Sequence, residues 1–362
     1  MRYLLLTLFV ASAWGQTGPR VQFSHTTENL RGVSAVSRKV AWASGAHGTY
    51  LRTIDGGRTW TPAQVPDAGA LDFRAVVAFS GEEAFLMSAG PGEQSRIYHT
   101  ADAGRHWELQ LKNTNPKGFF DSMAFWDSKH GVVLGDPIAD ESGKLKFEVL
   151  RTEDGQNWRV IPGAQMPDAM QGEGAFAASN TSVAILPSAS DSNIWFATGG
   201  KIARVFHSPD RGKSWQVYET PVLHGADSAG IFSIAFRDAN HGVIAGGDYK
   251  RPKLDGPNLA FTEDGGKNWT ISPLHPLAYF SAVTYDRRVN QTAVAGAGKK
   301  VRVKPIAAER LFIVGQDFIF DLRPPNNPRR IGGKGLRFNA ESAYPEGGAL
   351  VVGAAGAMAF VP

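Results

Sequence analysis

Five copies of one short pattern organise this chain. It reads Thr53-Ile-Asp55-Gly-Gly57-Arg-Thr-Trp60, Thr100-Ala-Asp102-Ala-Gly104-Arg-His-Trp107, Ser208-Pro-Asp210-Arg-Gly212-Lys-Ser-Trp215 and Thr262-Glu-Asp264-Gly-Gly266-Lys-Asn-Trp269, with Thr152-Glu-Asp154-Gly155-Gln-Asn-Trp158 one residue shorter. Each part has a mechanical reason. The Asp carboxylate accepts backbone N–H groups of its own turn, the Gly takes a positive φ, and the Trp brings a large packing surface to the next strand. The pattern therefore predicts hairpin turns with structural roles for Asp55, Asp102, Asp154, Asp210 and Asp264 and for Trp60, Trp107, Trp158, Trp215 and Trp269.

The Asp positions lie 47, 52, 56 and 54 residues apart, close to the roughly 40 to 50 residues of a four-stranded propeller blade. No sustained helical period interrupts the short β-rich runs between them. Blade-opening strands are expected at 32–36, 74–79, 120–125, 174–179, 231–236, 280–285 and 338–344, which makes seven. The last blade has room for only three strands, and 21–25 supplies the fourth. The fold class is thus all-β, a seven-bladed propeller closed by an N-terminal strand, which removes an open sheet edge. Blade six lacks the turn motif and carries an insertion at 286–309.

The start of the chain, with Arg2, an apolar run and small residues up to Gly15, reads as a signal peptide over 1–15, leaving 16–362 as a single propeller domain. No later stretch reaches the roughly 18 apolar residues of a membrane helix. A secreted or periplasmic monomer without a transmembrane segment is expected. The chain has no Cys, which excludes disulfides, thiolate catalysis and Cys-ligated metal. Gly296-Ala-Gly298-Lys299-Lys300 lacks the spacing of a phosphate loop, and no HExxH or dinucleotide fingerprint is present. No cofactor, metal or catalytic residue is assigned.

Propeller geometry places the Asp turns on one face and the loops joining second to third strands on the other. On that second face Arg31 and Arg74 open blades one and two, Glu173 leads into blade four, and His47, Asp136, Asp248 and Tyr249 come from loops. Charged groups converging on a channel mouth are the candidate ligand or partner site. Charge is also uneven. Between 281 and 340 there are twelve basic and four acidic residues, and Lys299, Lys300, Arg302 and Lys304 are candidates for electrostatic docking.

The turns resemble the Asp-box, or BNR, repeat of sialidases and related propellers. The wider chain, with Gly135-Asp-Pro137, Gly172-Glu-Gly-Ala-Phe-Ala-Ala-Ser179, Ser228-Ala-Gly-Ile-Phe-Ser233 and Gly246-Gly-Asp-Tyr249, resembles secreted bacterial proteins grouped with the photosystem II stability/assembly factor family. That resemblance implies a non-catalytic scaffold engaging a protein partner at the cell envelope. The sialidase side of the resemblance keeps a glycoside hydrolase or glycan-binding propeller as the alternative. The Arg-Ile-Pro segment that opens the sialidase arginine triad is missing, however, and Arg20 and Arg31 do not replace it. Nucleic acid is not an expected partner, since the basic segment lacks interleaved aromatics.

Overall fold

The structure, a computed structural model, describes residues 18–186, 191–274, 278–287, 310–323, 329–332 and 336–362. Six four-stranded antiparallel sheets and one six-stranded sheet, whose last four strands form blade five, make seven blades. Blade one runs Leu30–Ala35, Ala41–Gly45, Thr49–Thr53 and Thr61–Gln64 from the centre outward. Second strands such as Ala41–Gly45, Ala84–Ser88 and Ala349–Gly353 are buried at every residue. They read as continuous apolar runs because a neighbouring blade covers each of their faces, whereas outer strands such as Thr61–Gln64 are mostly exposed. The core is accordingly a series of inter-blade clusters. Trp60 packs with Leu30, Leu350 and Phe360 between blades one and seven, and Trp215 packs with Phe196 and Phe206 between blades three and four.

Each Asp turn joins the third and fourth strands of its blade by the same hydrogen bonds. The Ser or Thr hydroxyl donates to the Asp carboxylate and accepts the N–H of the turn glycine. The same carboxylate accepts the N–H of the residue before Trp. Trp60 and Trp215 are buried, while Trp107, Trp158 and Trp269 are partly so.

The last blade is completed by Arg20–Val21, which pairs antiparallel with Met358–Val361. The closing strand lies one residue earlier than 21–25 and is shorter. His25 adopts φ 58° and Ser24 and Thr26 bond to each other instead of to the sheet, so the chain turns away and leaves Phe23 79% exposed.

A larger correction concerns blade four. Its first strand is Val183–Ala184, not 174–179. That earlier stretch is held by Glu173–Gly174 pairing with Gly199–Gly200 and then leaves the sheet to run into the central channel. The signal-peptide region lies outside the described residues, as does most of the insertion expected at 286–309.

Candidate functional site

The mouth of the channel is built by one repeated device. In six blades the pairing of first and second strands slips by one residue near the start of the first strand, between Leu30 and Gly32, Phe73 and Ala75, Phe120 and Ser122, Ile231 and Ser233, Phe280 and Ala282, and Phe338 and Ala340. A bulge takes its extra residue out of the ladder and re-aims the side chain. The six bulged residues are Arg31, Arg74, Asp121, Phe232, Ser281 and Asn339, and all line one cavity of about 520 Å³. Asp136 and Tyr249 join them from second strands and loops.

The segment leaving blade four crosses this space as a plug. Residues 175–178 line the mouth cavity and 179–181 line a second cavity beyond it. The Ala177 carbonyl accepts from Arg31 Nη2 at 3.3 Å and Arg74 Nη1 at 3.1 Å. Asn180 Oδ1 accepts the Met123 N–H at 2.7 Å, and Ser179 Oγ donates to the Ser281 carbonyl at 2.7 Å. Phe176 stacks on Phe232 with ring centres 3.9 Å apart. Gly199 permits this approach, since a Cβ there would fall 2.4 Å from the Phe176 ring.

Arg74 donates from Nε to Asp72 at 2.8 Å. The Nε of Arg31 is buried without a hydrogen bond, and burial, followed by the Arg74 charge, lowers its pKa against smaller pulls from Asp72 and Tyr279. Across the cavity Asp121 is 1% exposed with Oδ2 unpartnered. Burial and then the neighbouring Asp136 carboxylate push its carboxyl well above the usual range, against a smaller pull from Arg74. Asp136 is raised by burial too, while the Ala175 N–H at 3.0 Å favours its charged form. The mouth thus holds two guanidiniums, two interacting carboxyls and the exposed edge of Tyr249, which meets Phe232 edge-on at 6.1 Å.

Of the seven residues singled out in the sequence, Arg31, Arg74, Asp136 and Tyr249 come together here and three do not. His47 is exposed and bonds Glu28 through Nδ1 at 2.7 Å. Asp248 is buried in its own turn, accepting the Lys250 N–H and Arg251 Nε at 2.9 and 2.8 Å. Glu173 anchors the root of the plug in a buried pair with Arg204, which donates from Nε at 3.0 Å, and accepts from Thr198 Oγ1 at 2.7 Å. Asp121 was missed, although it occupies the same strand position as Arg31 and Arg74, and that shared position is the signal that finds it. Lys299, Lys300, Arg302 and Lys304 lie outside the described residues. Among the described residues no group of three or more His, Asp or Glu side chains is placed to hold a metal ion.

Comparison with known proteins agrees with this architecture. The family described as "Photosynthesis system II assembly factor YCF48" matches residues 12–118. Photosystem II assembly protein Ycf48 of Thermosynechococcus vestitus is 24% identical over 298 residues, covering 67% of this chain and 72% of that protein. The chloroplastic photosystem II stability/assembly factor HCF136 of Arabidopsis thaliana is 36% identical over 67 residues, or 18% of this chain and 16% of that protein. Among solved structures, "YCF48 bound to D1 peptide" superposes with a TM-score of 0.64 at 16% identity, covering 96% of this chain and 98% of that one. The WD40 propeller domain of Doa1 superposes at 0.60 and 12% identity, covering 95% and 96%. At such identities the superpositions speak for the fold, and together with the sequence matches they make this chain a seven-bladed β-propeller that resembles the photosystem II assembly factors of the Ycf48 type.

Proposed function

We propose that this chain is an exported, non-catalytic binding propeller that receives a segment of a protein partner at the cell envelope across its channel mouth, with Arg31 and Arg74 as the groups that hold it. One observation carries the reading. Arg31 is a largely enclosed guanidinium with a buried, unpartnered Nε on which Asp72 acts only as a smaller, more distant charge, and both it and the Asp72-paired Arg74 donate to the neutral Ala177 carbonyl of the plug. A partner carboxylate would supply the charge-assisted bonds that a carbonyl cannot. The likeness to a propeller whose structure is titled as bound to a D1 peptide supports a peptide as the ligand. The leader-like start of the sequence supports export. The basic residues Lys299, Lys300, Arg302 and Lys304 would add long-range attraction.

The test is affinity capture from native envelope extract with the wild-type chain and an Arg31→Ala/Arg74→Ala double variant. The wild type retains a partner that the variant loses, with little dependence on salt. Charge reversal at Lys299, Lys300, Arg302 and Lys304 weakens capture mainly at low ionic strength, where the Debye length is long. A partner retained equally by the Arg variant removes the mouth from the reading.

A second reading has an observation of its own. Asp121 and Asp136 face one cavity with one carboxyl driven toward its protonated form, as the acid of a glycoside hydrolase pair would be. Sugar release from a glycan panel, abolished by Asp121→Asn, would favour that chemistry over the scaffold.

A further inference from the structure

The second cavity, beyond the plug at the Asp-turn end of the channel, has a volume of about 450 Å³. Its wall is a ring with one residue from each blade at the same register. Six of these are Val33, Val76, Met123, Val183, Ile234 and Val283, and the seventh is Glu341. The equivalence follows from pairing, because each meets the second strand two residues before its first strand ends, as Val33 meets Ala43 and Glu341 meets Val351, or at the corresponding place in the shorter blade four. All seven are buried, Glu341 at 3% exposure. Both carboxyl oxygens of Glu341 are enclosed and make no hydrogen bond of ordinary length, with the Thr284 N–H acting on them only weakly. A buried polar group in that state is costly, and a chain that needed only packing would have placed a seventh aliphatic residue there.

We propose that this cavity binds a primary alkylammonium group, such as a lysine side chain, with Glu341 as its counter-ion and the aliphatic ring enclosing the alkyl stem. A single carboxyl matches a compact point charge better than a guanidinium, whose fork asks for bidentate or multiple acceptors. It also matches an ammonium better than a metal cation, which needs several ligands and has no acidic or histidine cluster here among the described residues. The other charged groups lining the cavity are Arg237, Asp286, Arg287 and Arg310. Arg310 is engaged by Asp286 and Asp321 at 3.0 and 2.9 Å, and Arg237 by Asp238 at 3.3 Å.

Burial holds the free Glu341 carboxyl protonated well above the usual range, with only a small pull from the Thr284 N–H toward the charged form. Forming the ion pair therefore releases that proton to solvent while the ammonium keeps its own. Affinity for the amine should rise by up to about tenfold per pH unit until the carboxyl pKa is passed.

The probes are n-butylammonium, for a free amine, and N-acetyl-lysine N-methylamide, for a side chain in a peptide. Titration calorimetry on the full chain between about pH 6 and pH 9, in two buffers of different ionisation enthalpy, counts the protons released. Saturable binding of either probe with release approaching one proton at the acid end supports the site, and n-butanol and butyrate should not bind. Glu341→Gln keeps the shape and should weaken binding at least tenfold, and Glu341→Val should abolish it while completing the aliphatic ring. Absence of saturable amine binding by the wild type across that range, or binding indifferent to Glu341→Gln, overturns the proposal.

Discussion

Gln22 holds the ring closed, and replacing it by Ala isolates that contribution. Its backbone N–H donates to the Met358 carbonyl at 3.0 Å, continuing the closing strand onto blade seven. Its side chain reaches the first Asp turn of blade one, accepting Trp60 Nε1 at 2.9 Å and donating to the Gly56 carbonyl at 3.3 Å. Trp60 is 1% exposed. Gln22→Ala leaves the backbone pairing intact and strips a buried indole N–H of its acceptor, which costs about 1 to 3 kcal/mol. The Gly56 carbonyl is half-buried and regains water, so its loss adds little. A destabilisation of about 2 kcal/mol is expected in equilibrium urea denaturation followed by tryptophan fluorescence. An internal control exists between blades two and three, where Gln110 accepts Trp158 Nε1 at 3.1 Å and donates to the Gly155 carbonyl at 2.9 Å. Trp158 is less buried, so Gln110→Ala should cost less than Gln22→Ala. Equal costs, or a Gln22→Ala cost below about 0.5 kcal/mol, would mean that water satisfies the indole and would refute the argument.

Three further outcomes are expected. Glu173→Ala leaves the Arg204 guanidinium buried without its counter-charge and should cost about 3 to 5 kcal/mol, insensitive to salt, as measured by denaturation at two ionic strengths. Trp215→Ala removes a buried indole from the cluster between blades three and four and should cost about 3 to 5 kcal/mol by the same assay, more than Trp269→Ala at its partly exposed site. Asp102 is held at about 2 chiefly by the His106 backbone N–H and then by the His106 side chain. A carboxyl depressed in the folded state stabilises fully above its unfolded value near 4 and loses that contribution as pH falls through the folded value. Asp102→Asn should therefore flatten stability against pH between about 4 and 2, and an unchanged acid limb in a denaturation series would contradict it.

The fold was legible because the turn pattern ties one residue type to one geometric task. Asp needs its own backbone N–H groups and Gly the positive φ, so their spacing reports the blade period directly. Residues 174–179 misled for a physical reason. In every other blade the bulge is preceded by a large buried apolar residue: Leu30, Phe73, Phe120, Ile231, Phe280 or Phe338. At 174–179 the chain offers Gly-Ala-Phe-Ala-Ala-Ser, whose small side chains suit a backbone threading the channel, and its one large residue stacks on Phe232. The true strand, Val183–Ala184, is too short to announce itself. Glu173 and Asp248 looked functional because they are charged and lie near the mouth, but Glu173 is taken up by Arg204, 31 residues away, and Asp248 by Arg251 of its own turn.

The two ends of the channel weigh an unusual residue differently. At the mouth the bulge turns one residue of the first strand toward the channel, and the position holds Arg, Arg, Asp, Phe, Ser and Asn in six blades. Arg31 and Arg74 there are only partly buried and donate to the Ala177 carbonyl, so a charged residue at this position says little alone. It is the combination of Arg31, whose Nε is unpartnered, with Arg74 and two raised carboxyls around one cavity that makes the mouth a site. Two residues further along, the strand is back in register and the position is tightly packed, filled by aliphatic side chains or Met in every blade but the last. A carboxyl at that place works against burial and gains only a weak pull from the Thr284 N–H, so Glu341 is a single departure that weighs heavily. The plug keeps the two chemistries apart, with Arg31 and Arg74 holding its Ala177 carbonyl on one side and Asn180 fastening it to Met123 on the other.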